Sequence, residues 1–169
     1  MEHSKRFRFK FMYQLRIIRD GMPIYAVRRK RDLLVWRGQS ILAYLLSQGA
    51  VGTNTNTWKM IISSNNDTPN MNDDSGDPEA NEFSPVIGTP QAVTYTFEPT
   101  VKPNANMQTY AQLKLQASIT VTSNTTVRKM GIIDSIDLPN RHIIVEDAVV
   151  PVAVLTGDIV EVTYFGNLW

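Results

Sequence analysis

The residues of this chain that could do chemistry are few, and their spacing does not favour it. There are two histidines, His3 and His142. A nucleophilic triad built on His142 would need Asp134, Asp137 or Asp147 to orient the ring and a Ser or Thr within reach of its other nitrogen. No signature motif places that hydroxyl, and His142, following Pro139-Asn140-Arg141, reads as a turn or strand-edge residue. Glu146 and Asp147 are adjacent, so in a strand they point to opposite faces, whereas glycoside hydrolysis needs two carboxylates about 5–10 Å apart across one cleft. The chain has no Cys, which excludes disulfides, thiol catalysis and thiolate metal sites.

The segment from Asn65 to Glu82 holds six acidic residues and no basic one. Asp67, Asp73, Asp74 and Asp77 invite a calcium reading, but counting back from Gly76 puts Met71 at the first ligand position of a helix-loop-helix calcium loop. The better reading is a solvated acidic surface loop over 65–82. Glycines are scattered, with neither a Gly-x-Gly-x-x-Gly run nor a Lys-bearing phosphate loop. The expectation is a non-enzymatic protein with no catalytic residue, no cofactor and no metal.

Charge is the stronger signal. Across the whole chain 17 Lys/Arg face 16 Asp/Glu, yet residues 1–50 hold 11 basic and 3 acidic residues, and the remainder 6 and 13. A basic front and an acidic body favour docking on an acidic neighbour, including another copy of the chain, over nucleic-acid contact. The candidate assembly interface is Arg8, Lys10, Arg28, Arg29, Lys30 and Arg31. Arginines interleaved with aromatics also suit phosphates and stacked bases, so a weak nucleic-acid contact through the same arm is the competing reading.

These residues must be positioned by strands. Phe7, Phe9, Phe11, Tyr13, Leu15 and Ile17 alternate with Arg8, Lys10, Gln14 and Arg16, as in a half-buried antiparallel strand. Asp20-Gly21 then signals a tight turn into a second strand over Ile24 to Arg29. Ile41, Leu42, Leu45 and Leu46 have helical spacing, and Gly49 sits where a cap belongs, which predicts one short helix over about 38–48. Trp58 to Ser63 reads as a strand with Trp58 in the core. Further strands follow from Val93, Tyr95 and Phe97 and from Leu113, Leu115, Ala117, Ile119 and Val121, each alternating with polar residues. Leu115, Ile119, Val121, Val160, Val162 and Tyr164 are expected in one shared interior. The predicted class is mainly β: an antiparallel, jelly-roll-like β-sandwich of about eight strands with one short helix and an N-terminal β-hairpin. The expected division is a basic hairpin arm over 1–36 and the sandwich over 37–169. No apolar run is long enough to span a bilayer, and charges interrupt the N-terminal aromatics where a signal peptide needs an unbroken apolar core, so no membrane association is expected.

The layout from Thr126 to Phe165 places Gly131 in a strand, then a polar turn, then Val150-Pro151-Val152, then Thr156-Gly157-Asp158 feeding the strand Ile159 to Phe165. This resembles the closing segment of structural proteins from the virions of tailed bacteriophages and archaeal tailed viruses. The N-terminal strand pair, the helix and the strand Trp58 to Ser63 resemble earlier parts of the same layout. Where such proteins often carry a Gly-Thr-Gly turn, this chain has Ser63-Ser64-Asn65. The resemblance implies a component of the capsid, neck or tail that assembles in the host cytoplasm with copies of itself and other virion proteins. The alternative it leaves is a carbohydrate- or receptor-binding module of a tail or spike, with Trp58, Tyr110 or Trp169 stacking on sugars.

Overall fold

A computed structural model describes residues 9–29, 33–34, 58–70, 77–101, 109–134 and 142–168. They form ten strands: β1 (Phe9–Arg19), β2 (Met22–Arg29), β3 (Leu33–Leu34), β4 (Trp58–Ser63), β5 (Gln91–Ala92), β6 (Thr94–Val101), β7 (Thr109–Thr120), β8 (Thr125–Asp134), β9 (His142–Val154) and β10 (Ile159–Leu168). Two five-stranded sheets result, ordered β2-β1-β10-β7-β6 and β3-β9-β8-β4-β5. Every neighbouring pair is antiparallel. The fold is the expected antiparallel sandwich, with two more strands than predicted because β3 and β5 are two-residue pairings too short to leave a periodic signal.

Alternation dictates the first sheet. Tyr13, Leu15 and Ile17 of β1 stand opposite Tyr164, Val162 and Val160 of β10, which stand opposite Leu115, Ala117 and Ile119 of β7. Three transverse apolar rows therefore cross three strands, and all nine residues belong to one core cluster. The Tyr13 and Tyr164 rings meet edge to face with centroids 6.3 Å apart. The second sheet faces these rows with Trp58, Met60, Ile62, Val127, Met130 and Ile132. All six residues expected to share the interior do so, and Trp58 lies among them, 2% exposed.

The β1–β2 hairpin turns at Asp20 (φ 51°) and Gly21 (φ 77°). Two consecutive positive φ angles are what a two-residue hairpin loop needs to match the strand twist, and Asp-Gly adopts them at low cost. β1 is an interior strand of the first sheet, held between β2 and β10, and its Leu15 and Ile17 are fully buried. Its basic composition suggests an arm because Arg16 lies on its outer face and Arg19 at its end, beyond the core-facing Tyr13, Leu15 and Ile17. The helix expected over 38–48 lies outside the described residues, and no helix occurs within them.

Both connections that carry the chain between the sheets near β10 meet the end of β1. The turn from Leu155 to Asp158 leads from β9 to β10, and Val121 to Asn124 leads from β7 to β8. Gly157 N donates to Val121 O (2.9 Å), Val121 N to Asp158 O (2.9 Å), and Thr156 N to the Asn124 Oδ1 (2.9 Å). The Asp158 carboxylate, 2% exposed, accepts Arg19 Nε and Nη2, each at 2.8 Å, and the Leu155 N–H at 2.8 Å. The Arg19 hydrogen bonds hold its carboxyl below the usual aspartate value; burial opposes them, and the Leu155 N–H and the charge of Arg19 add to the lowering.

Truncating Leu115 or Ile119 to Ala should destabilise the fold by about 2–5 kcal/mol, because each side chain is fully enclosed. Chemical denaturation checks this, and an unchanged midpoint for both would refute the face assignment. Since Asp158 is lowered in the folded state, its contribution is complete above the unfolded value of about 3.9 and is lost as pH falls through the folded one. The melting temperatures of wild type and Asp158→Asn should therefore converge as pH drops from about 6 to about 2. A gap that stays constant over that range would remove Asp158 as a source of acid sensitivity.

Candidate functional site

Of the basic residues singled out in the sequence, two fall on the outermost strand of the first sheet and one on the strand beside it. Arg28 and Arg29 close β2, opposite Gln14 and Tyr13, and Lys10 lies in β1 opposite Asn167. Arg8, Lys30 and Arg31 lie outside the described residues. Arg28 is exposed, and its guanidinium carbon sits 5.0 Å from the centroid of the Phe165 ring, a cation–π contact that orients the charge across the outer face. Further inward on that face Arg16 pairs with Glu161 at 3.4 Å.

β2 is the outermost strand of its sheet among the described residues. Toward the hairpin turn it carries Met22 and Ile24, 69% and 50% exposed. Pro23, Ile18 and Ile159 form one row across β2, β1 and β10, with Leu155 exposed in the neighbouring turn. An apolar patch thus surrounds the Arg19–Asp158 pair, and the edge runs from apolar at the turn to basic at Arg28. Pro23, which has no N–H, and the register shift opposite Ile17 and Ile18 hinder the addition of a further strand there.

Of the carboxylates considered for catalysis, Asp134, Glu146 and Asp147 lie on the second sheet, and Asp137 lies outside the described residues. His142 opens β9 opposite Asp134 in the β8–β9 register. Among the described residues no group of three or more His, Cys, Asp or Glu is placed to hold a metal. Asp67 follows an Asx-type turn in which its N–H donates to the Asn65 Oδ1 at 2.7 Å. Asp77 accepts from Ala80 N and Asn81 N through its carbonyl, so its part of the acidic loop is a folded turn.

That turn leads to a feature the sequence reading missed. Residues 77–86 fold across the outer face of the second sheet, where Phe83 packs with Ile61, Ile133 and Ile143, and Val86 lies alongside, before Ile87 enters the main core. Ile87 N donates to Ile62 O (2.9 Å), and the Ser63 Oγ donates to Pro85 O (3.0 Å). Under this strap Lys129 and Glu146 are both fully buried, with Nζ 2.6 Å from Oε1. Glu82 of the strap brings a second carboxylate oxygen to 3.5 Å from the same nitrogen, and the Phe83 ring centroid is 5.8 Å away. Because β8 and β9 pair Gly131 with Glu146 and Lys129 with Ala148, Lys129 and Glu146 are diagonal neighbours on one face. A signal was available: Lys129, Gly131 and Ile133 alternate with Met130 and Ile132, so β8 carries apolar residues on both faces and must be covered twice.

No family model matches the sequence, and neither curated proteins nor solved structures give a match. Among the described residues no helix is long and apolar enough to cross a membrane.

Gly131 is the fitting point of the strap. A Cβ there would sit 2.5 Å from the Phe83 Cζ and 2.5 Å from the Val145 carbonyl oxygen. Gly131→Ala should therefore lift Phe83 off the sheet and destabilise the protein by about 1–3 kcal/mol. Denaturant midpoints combined with hydrogen exchange at Phe83 and Ile87 would check both effects, and unchanged exchange at those amides would show that the strap does not depend on Gly131.

Proposed function

We propose that the chain is a non-enzymatic structural protein of a virion, a capsid-decorating, neck or tail component that assembles with copies of itself or on a capsid or tail scaffold. The observation that carries this reading is the β2 edge, where exposed Met22 and Ile24 continue into Arg28 and Arg29. Apolar side chains give a docking surface its affinity, and a charged rim steers the approach of a partner of opposite sign. The acidic balance beyond residue 50 makes a second copy such a partner. Pro23 and the adjacent register shift favour docking through side chains over strand addition. Many weak contacts of this kind add up in a particle without any one of them being tight. The receptor-binding reading loses one of its aromatics, since Trp58 is in the core.

Charge reversal to Glu at Arg28, Arg29 and Arg31 should reduce incorporation into particles, most strongly at low ionic strength where charges act unscreened. The same variants should be compared for binding to free DNA. Failed incorporation of a folded variant, with wild-type protein that binds no DNA, supports docking. Normal incorporation together with lost DNA binding would refute it in favour of nucleic-acid contact.

A further inference from the structure

We propose that Lys129 and Glu146 join in an intramolecular isopeptide bond that cross-links β8 to β9 beneath the strap, with Glu82 as the group that moves the proton. Three features of the site point to it. Both reacting side chains are fully buried, and the nitrogen lies 2.6 Å from a carboxylate oxygen. A second carboxylate, Glu82, is 3.5 Å from the same nitrogen and part-exposed, at the mouth of the site. Phe83, Ile61, Ile133 and Ile143 make the surroundings apolar.

Amide formation from an amine and a carboxylic acid is hindered in water because both groups are charged and solvated. In a dry site the ammonium can pass a proton to the carboxylate, giving a neutral pair that costs less to bury than the ions. The Lys129 Nζ then attacks the Glu146 Cδ and the C–N bond forms. Glu82 accepts the proton released by nitrogen and returns one to the departing hydroxyl, which leaves as water. One amine and one carboxylic acid become one amide and one water, with no oxidant, reductant or activating nucleotide required. Fixed proximity replaces activation: the two groups are held in contact by adjacent strands whose register sets their separation. The strap supplies both the proton carrier and the apolar cover, giving Glu82 and Phe83 a shared purpose.

The test is the mass of the purified full-length protein, followed by peptide mapping. The expected result is a chain lighter than its sequence by one water, with the loss located in a branched peptide that joins the segments containing Lys129 and Glu146. Lys129→Arg keeps the positive charge but should give the full mass, and Glu82→Gln should leave most of the protein uncross-linked. Folded wild-type protein of full mass would overturn the proposal, and wild type decides this even where a variant fails to fold. Loss of water located elsewhere, for example as an imide at Asp20-Gly21, would overturn it equally. Complete cross-linking in Glu82→Gln would overturn the assignment of Glu82 as the proton carrier.

Discussion

The Asp158 carboxylate, enclosed and holding three donors, is the constraint on which the first sheet depends. Its oxygens bind the end of β1 through Arg19 and its own turn through the Leu155 N–H, while its main chain binds Val121 at the β7–β8 crossing. Three segments distant in sequence therefore meet at one residue. A buried carboxylate is costly unless its lone pairs are filled, and here two parallel N–H donors from a guanidinium and one from the backbone fill them. The pair lies immediately beyond Ile18 and Ile159, the last partners of the β1–β10 ladder. That placement fixes the register of the central pair, and a slip of one residue would turn Tyr13, Leu15 and Ile17 out to solvent.

The second sheet solves a different problem. β4, β8 and the start of β9 carry apolar residues on both faces, so the face turned away from the core needs a cover there, which residues 77–86 provide. The cover closes over charge as well as over isoleucines. Burying Lys129 is tolerable only with carboxylates against it, and Glu146 from the sheet and Glu82 from the strap supply them. Gly131 leaves the space into which Phe83 descends. The acidic segment is thus partly a solvated loop and partly a structural lid, with the change between Asn70 and Asp77 falling outside the described residues.

Period-two alternation made β1, β7 and β10 legible, because each has one buried and one wet face. Asp20-Gly21 made the hairpin legible, because few dipeptides tolerate two positive φ angles. β1 looks like a basic arm by composition because Arg16 lies on its outer face and Arg19 at its end, although Tyr13, Leu15 and Ile17 of the same strand build the core. Lys129 was passed over for a related reason. Lysine is so seldom fully buried that composition argues for exposure, and only the two-sided apolar pattern of β8 argues otherwise. The contribution of Glu82 could not be read at all, since it depends on a strap from a segment more than forty positions earlier returning to the same face. The assembly residues were legible as charges, whereas the apolar patch beside them depends on the turn between β9 and β10 lying against the β1–β2 hairpin.

The two outer faces differ in what they leave for a partner. The second sheet is covered across its middle by part of its own chain, whereas the first presents polar rows such as Gln14, Thr163 and Gln116 across β1, β10 and β7. Four of the six large hydrophobic residues most exposed among those described, Met22, Ile24, Leu155 and Ile159, lie around the Arg19–Asp158 pair. An exposed apolar group beside a rigid, internally bonded turn is a better docking surface than the same group on a loose loop, because little conformational freedom remains to be lost on contact. The interaction that sets the register of the first sheet also holds this patch in shape. Folding and docking are in this sense served by one residue pair, with Asp158 directed inward and Met22, Ile24 and Leu155 outward from the same corner.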